Sequence, residues 1–214
     1  MRRSDVVARI ERERIVAVVR SQDSSELISV IEALAEGGVC CAEVTFTVPN
    51  ALEVIREARA ALGDRVVLGA GTVLDTETAR AAILAGAQFL VAPTLNCDVI
   101  RLAHRYDIAV MPGAFTPTEI LAAWEAGADV VKVFPADVGG PAYLKAIRGP
   151  LPQIKLMPTG GVDLSTARAF LDAGAVCLGV GGSLVDARLI ADRNFKVLRE
   201  RAAQYVDAVR RATS

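Results

Sequence analysis

A lysine stands in the middle of an apolar run, Val130-Val131-Lys132-Val133-Phe134, and a glutamate stands in a run that alternates polar with apolar residues, Cys41-Ala42-Glu43-Val44-Thr45-Phe46-Thr47. Side chains alternate across a β-strand, so Val131 and Val133 share one face and Lys132 takes the other. By the same rule Glu43, Thr45 and Thr47 lie together, opposite Val44 and Phe46. An ammonium kept from water is costly unless it is paired or gives up its proton, and the neutral amine attacks carbonyl carbon. Lys132 is therefore a candidate for Schiff-base chemistry, and Glu43 for moving protons to and from a substrate held on that amine. The alternative is a structural ion pair between the two, with no chemistry.

Further polar residues follow other apolar runs. Arg20 ends Ile15-Val16-Ala17-Val18-Val19, where a guanidinium either grips a carboxylate in bidentate fashion or is simply exposed. Gly69-Ala70-Gly71-Thr72, Pro158-Thr159-Gly160-Gly161 and Gly179-Val180-Gly181-Gly182-Ser183 supply glycines whose backbone N–H groups can approach an anion closely. The first of these is not a dinucleotide fingerprint, because position 74 is leucine. His104, the only histidine, falls in a helix-like segment beside Arg101 and Arg105 and is expected to be solvated; without a second histidine a His-based metal site is not expected. Lys155 is a rival amine but lies early in its apolar run, and Lys145 and Lys196 belong to helical stretches at the surface.

These residues need a scaffold that brings strand ends together. Apolar runs at Ile15–Val19, Cys40–Phe46, Val66–Ala70, Phe89–Val91, Ile108–Met111, Val130–Phe134, Ile154–Met157 and Val176–Val180 read as eight strands. Between them lie helical stretches such as Ser24–Glu36, Asn50–Leu62, Thr76–Ala85, Cys97–Tyr106, Pro117–Ala126 and Leu164–Ala173, several opened by a capping residue or proline. Gly37-Gly38, Gly86, Gly127 and Gly174, with Gly63 and Gly149 between some of them, mark the helix stops. The fold class expected is α/β, a single-domain (β/α)8 TIM barrel over residues 1–214, with an open doubly wound sheet as the competitor. In such a barrel the chemistry belongs at the C-terminal strand ends, and the ends of the last two strands commonly hold a phosphate.

Composition narrows the partners. Of 214 residues 52% are apolar but few are aromatic (six Phe, three Tyr, one Trp), which suits a parallel sheet covered by Ala-rich helices. Lys and Arg number 24 against 25 Asp and Glu, a net charge of −1 that gives no global field to attract nucleic acid or an anionic membrane. The start of the chain has no apolar stretch of signal-peptide type, and the uncharged stretch 81–97 is too short and too broken to span a membrane. Cys40, Cys41, Cys97 and Cys177 form no C-x-x-C pair, and a reduced, cytoplasmic setting is expected.

The quoted residues, in this order and at these strand ends, resemble the bacterial 2-keto-3-deoxy-6-phosphogluconate (KDPG) aldolases, which also act on 4-hydroxy-2-oxoglutarate (KHG). The resemblance covers about residues 10 to 190 and adds Val73, Pro135, Ala136 and Val162 to the motifs above. It implies a class I aldolase on a TIM barrel, acting on a small keto acid without metal or other cofactor, as a homotrimer. Lys132 matches the family's Schiff-base lysine and Glu43 its acid/base residue. Thr72, Pro93, Phe134 and Thr159 match positions lining the pyruvate end, and Gly160, Gly161, Gly182 and Ser183 match the phosphate pocket. One departure is Thr47, where many members have an arginine that holds the substrate carboxylate; Arg20 fits that role here, as in members that carry arginine at the end of the first strand.

Three alternatives remain open on sequence. The substrate could be the galactonate-derived epimer; the chain could be another phosphate-binding barrel enzyme, such as an epimerase or a thiamine-phosphate synthase relative, in which Lys132 is not used covalently; or it could be a non-catalytic barrel that binds a phosphorylated metabolite.

Overall fold

The computed structural model describes residues 1–211. Nine strand segments follow in chain order: β1 (Ile15–Val19), β2 (Cys41–Thr45), β3 (Val67–Gly71), β4 (Phe89–Val91), β5 (Ala109–Met111), β6 (Gly113–Ala114), β7 (Val131–Val133), β8 (Leu156–Pro158) and β9 (Leu178–Val180). All pair in parallel, in the orders β5-β4-β3-β2-β1-β9 and β6-β7-β8. Segments β5 and β6 are one barrel strand interrupted at Pro112, which has no N–H to donate but still accepts from Lys132 N–H at 2.9 Å. The second seam lies between β8 and β9, where Thr159 bridges Gly179 and Val176 N–H donates to the Leu156 carbonyl at 3.0 Å. Eight strands thus close into the expected barrel.

The helices are α1 (Arg3–Glu13), α2 (Leu27–Glu36), α3 (Ala51–Leu62), α4 (Thr76–Ala85), α5 (Cys97–Arg105), α6 (Pro117–Glu125), α7 (Gly140–Arg148), α8 (Ala167–Asp172), α9 (Ala187–Ala191) and α10 (Phe195–Arg211). Local chemistry explains several boundaries. Asp75 caps α4 by accepting the Thr78 N–H, and α6 opens with a Thr116–Glu119 capping box and Pro117 in its first turn. Gly38, Gly86, Gly127 and Gly174 all adopt φ between 94° and 106°, a left-handed turn from helix to strand that a Cβ would strain. Gly149 also stops a helix, as the cap that follows α7, but it does so with a helical φ of −53° instead of a left-handed turn.

Two apolar layers result from strand alternation. The outward faces pack against the helices, while Val16, Cys41, Val67, Phe89, Met111, Met157 and Cys177 fill the barrel's lower interior. Helix α1, an element that the pattern reading did not identify, plugs that end with Val6, Val7 and Ile10. Its apolar face has only three residues among many charges, so its periodicity is weak in sequence. Arg3 to Asp129 (2.8 Å) and Lys155 to Glu11 (2.5 Å) tie the plug to the barrel floor, which places Lys155 far from the C-terminal strand ends.

Two expectations need correction. His104 is half-buried rather than solvated: its Nε2 lies 3.9 Å from the Asp129 carboxylate, and a Cβ at Gly127 would stand 2.8 Å from its ring. Burial and the Arg3 charge hold its pKa below the ordinary value. Thr47 lies past the end of β2 and is exposed instead of facing the interior, although its hydroxyl meets that of Thr45 at 2.8 Å.

Candidate active site

Among the described residues the buried polar and charged side chains are Glu43, Thr45, Lys132 and Thr159. All four belong to the interior face at the C-terminal half of the barrel, above the apolar floor. Glu43 stands in register with Val18 on β1 and Gly69 on β3; Lys132 is flanked by Gly113 and Met157. Ala42, Val44, Val131 and Val133 join the helix-packed layer, so Glu43 and Lys132, which alternate with them, turn inward, where they are 1% and 6% exposed.

Glycine makes the room for them. A Cβ at Gly71 would lie 2.8 Å from the Glu43 carboxyl carbon, one at Gly69 would enter the Phe89 ring at 2.5 Å, and one at Gly179 would lie 2.1 Å from Thr159 Oγ1. At Gly113 it would meet the Pro93 backbone at 2.2 Å. The glycines beside β2, β4 and β8 therefore hold space that the polar side chains and the closed barrel use.

The charged groups are close but not locked together. No ion pair among the described residues involves Glu43 or Lys132, and Glu43 Oε2 and Thr159 Oγ1 are buried without a hydrogen-bond partner. This excludes a tight Lys132–Glu43 salt bridge. Burial pushes the Glu43 pKa above its ordinary value, against the opposing pull of the Lys132 and Arg20 charges. A carboxyl whose pKa is raised and which lacks a fixed partner is suited to taking and returning a proton. Lys132 Nζ lies 5.1 Å from the centroid of the Phe134 ring, which is 37% exposed and stands at the mouth.

Next to this pair opens a cavity of about 500 Å³, lined not by Lys132 and Glu43 themselves but by their neighbours Phe134 and Val18. It gathers Arg20, Phe134, Thr159, Gly160, Gly161, Gly182 and Ser183 from the sequence-derived set, with Val18, Asp163 and Gly181 in addition. Ala17 pairs with Val180, which carries the end of β1, and so Arg20, alongside the turn that contains Gly181, Gly182 and Ser183. Gly160 and Gly161 have φ of 94° and 66°, and a Cβ at Gly161 would lie 2.6 Å from that of Asp137. At Gly181 and Gly182, by contrast, a Cβ would meet no protein atom within 4 Å. Neither the fold nor the backbone conformation requires glycine there; a side chain would enter the cavity.

Thr72 and Pro93 do not line this cavity. They follow β3 and β4 elsewhere on the mouth, and Thr72 has φ of 61°, a costly conformation for a β-branched residue. Asp163 and Thr45 were not among the sequence candidates. Asp163 accepts from the Ser165 hydroxyl and from the Ser165 and Thr166 N–H groups, a turn that Asp-Leu-Ser-Thr could have signalled, and these bonds, the hydroxyl's first, hold its pKa low. Thr45 shares the Glu43 face, as alternation indicated, and its hydroxyl is turned to Thr47.

The chain matches the family model for KDPG and KHG aldolase over residues 6–200. It is 37% identical over 202 residues to 2-dehydro-3-deoxy-phosphogluconate aldolase of Treponema pallidum, covering 94% of this chain and 95% of that protein. It is 34% identical over 199 residues to 2-dehydro-3-deoxy-6-phosphogalactonate aldolase of Escherichia coli, covering 92% and 95%. Among solved structures, KDPG aldolase from Legionella pneumophila, with pyruvate captured as a covalent carbinolamine intermediate, superposes with a TM-score of 0.86 at 27% identity, covering 95% of this chain and 97% of that one. With its motifs on one barrel mouth and this extent of similarity, the chain belongs to the KDPG and KHG aldolase family.

Proposed function

We propose that the protein is a class I aldolase that cleaves 2-keto-3-deoxy-6-phosphogluconate to pyruvate and glyceraldehyde 3-phosphate, and 4-hydroxy-2-oxoglutarate to pyruvate and glyoxylate. The observation that carries this reading is a buried lysine and a buried carboxyl without a fixed partner, set with Thr45 and Thr159 on the inner face of the barrel next to an open cavity. Lys132, as the neutral amine, attacks the C2 ketone, and Glu43 relays protons through the carbinolamine to the protonated imine as water leaves. That cation draws in electrons, so the C3–C4 bond breaks once the C4 hydroxyl loses its proton. An aldehyde departs and the enamine of pyruvate stays on Lys132. Protonation at C3 and hydrolysis release pyruvate and restore the amine. The iminium is itself the electron sink, so this route calls on no metal or other cofactor.

In this reading Arg20 holds the substrate carboxylate, Thr72, Pro93, Phe134 and Thr159 line the pyruvate end, and Gly160, Gly161, Gly182 and Ser183 receive the phosphate. The open space at Gly182 supports the last assignment, because backbone N–H groups can then approach an anion directly. One barrel domain would carry the whole site. The family resemblance further suggests a homotrimer, and a monomer by light scattering would overturn that part. A helix long and apolar enough to cross a membrane is absent among the described residues.

Borohydride reduction in the presence of pyruvate tests the central claim. Mass spectrometry should find a reduced pyruvyl adduct on Lys132, and an unmodified lysine would sink the proposal. Relatives of similar identity carry the phosphogluconate and phosphogalactonate names, which favours the C4 epimer as the second reading. Pyruvate release from the two epimers, assayed side by side, decides between them.

A further inference from the structure

Two of the residues that line the cavity carry charge, Arg20 and Asp163, and their charges cancel. With Arg20 given to the substrate carboxylate, the glycine-rich turns are left with backbone N–H groups, the Ser183 hydroxyl and one carboxylate. That carboxylate is firmly held. Asp163 Oδ1 accepts from the Ser165 hydroxyl at 2.6 Å, the Ser165 N–H at 2.8 Å and the Thr166 N–H at 3.0 Å. The Thr166 hydroxyl accepts from the Asp163 N–H at 2.9 Å and donates to the Gly161 carbonyl at 2.9 Å, which fastens the acidic turn to the glycine turn. No ion pair among the described residues involves Asp163. Arg201 reaches the Ser183 carbonyl at 3.4 Å, but it lies 3.7 Å from the Asp186 carboxylate and is not among the residues lining the cavity. A second carboxylate borders the same glycines: a Cβ at Gly160 would stand 3.3 Å from Asp137 Oδ1.

A phosphate monoester carries close to two negative charges near neutral pH. Backbone N–H groups can hold it, yet a fixed carboxylate on the adjoining turn opposes it. The opposition needs no contact, because Coulomb repulsion falls only as the inverse of distance. An uncharged tail bears no such cost. The cavity therefore gains less from a phosphate than its glycine turns alone would give.

We propose that Asp163 is a specificity-determining residue: its fixed negative charge weakens the hold on a phosphorylated tail and so narrows the preference for phosphorylated over unphosphorylated keto acids. The inference rests on the reading of Ser183 and the neighbouring glycines as the phosphate pocket. It predicts an effect that is confined to phosphorylated ligands and screened by salt, which a role in shaping the turn would not produce.

Asp163→Asn and Asp163→Ser test it, since both remove the charge and keep an oxygen that accepts from the N–H groups of the turn. At low ionic strength each should lower KM for the phosphorylated substrate about threefold, the scale of repulsion between separated charges in contact with solvent. The difference from the parent should vanish in about 1 M salt, where the Debye length is about 3 Å. Half-saturation by pyruvate in borohydride trapping should not move, nor should the constant for the same keto acid without its phosphate, measured as substrate or as competitive inhibitor. Gly182→Ala, which puts a methyl group into the pocket, is measured alongside and should raise KM for the phosphorylated substrate. If it does, but the Asp163 variants leave KM unchanged, shift all ligands alike, disagree with each other or keep their effect in high salt, Asp163 has no charge-selective role and the phosphate reading stands. If Gly182→Ala leaves KM unchanged, the phosphate lies elsewhere, and the role of Asp163 falls with that reading. The constants compared do not depend on the active fraction, so partial misfolding of a variant does not blur the result.

Discussion

The Glu43 carboxyl occupies the space that a side chain at position 71 would fill: a Cβ on Gly71 would stand 2.8 Å from its carboxyl carbon. These two residues sit on neighbouring strands, with Thr45 of β2 in register with Gly71 of β3, and the glutamate leans across the gap. Gly71 has no left-handed backbone that would call for glycine, so its small size is the property in use.

Gly71→Ala should therefore displace the carboxyl and leave the barrel folded. Loss of a well-placed acid/base group costs about a hundredfold or more in turnover. We expect kcat to fall by that order, with the circular dichroism spectrum unchanged. Full activity in a folded Gly71→Ala protein would remove Glu43 from the proton-transfer role.

Burial raises the pKa of Glu43 above the unfolded value near 4.5. A carboxyl with a raised pKa keeps its proton in the folded chain at pH values where the unfolded chain has released it, so stability falls as pH rises from 4.5 toward the folded pKa and then levels off. Glu43→Gln removes this contribution. Denaturant unfolding should show the variant gaining on the parent as pH rises from the acid side to neutrality, while losing turnover. Parallel stability curves would contradict the burial argument.

Gly182→Ala separates the fold from the ligand. The new methyl group meets no protein atom within 4 Å, so stability should change by less than about 0.5 kcal/mol. Because the methyl enters the cavity, KM for a phosphorylated substrate should rise, which steady-state kinetics will read. An unchanged KM would move the phosphate elsewhere.

Ile10→Ala should do the reverse. Ile10 is fully buried in the plug of the lower barrel, far from the open mouth, and truncation there costs about 2–5 kcal/mol. Unfolding by denaturant should shift accordingly, with kcat at room temperature within about twofold of the parent. A large loss of turnover in the folded variant would mean that the floor of the barrel shapes the site.

Much of the site was legible in the chain because strand alternation is local. One interior lysine and one interior glutamate, each set against apolar neighbours, place Lys132 and Glu43 on the inner face without any knowledge of the fold. Helix boundaries followed from similarly local chemistry, as at Thr116–Pro117 and at the glycines after α4 and α8. His104 was misjudged because its burial depends on Gly127 and Asp129, which sequence proximity does not reveal. Helix α1 was missed because three apolar residues among charges make a weak pattern until there is an open barrel end for them to fill.

The sequence by itself determined the βα alternation, the faces on which the reactive residues lie, and the family resemblance. Only the tertiary structure decided what lies across each gap. Gly71 yields its space to Glu43, and Gly179 yields to Thr159 at the closing seam. The physical reason is that alternation and capping are set by a few neighbouring residues, whereas these contacts depend on register around a closed sheet and on helices packed from distant parts of the chain.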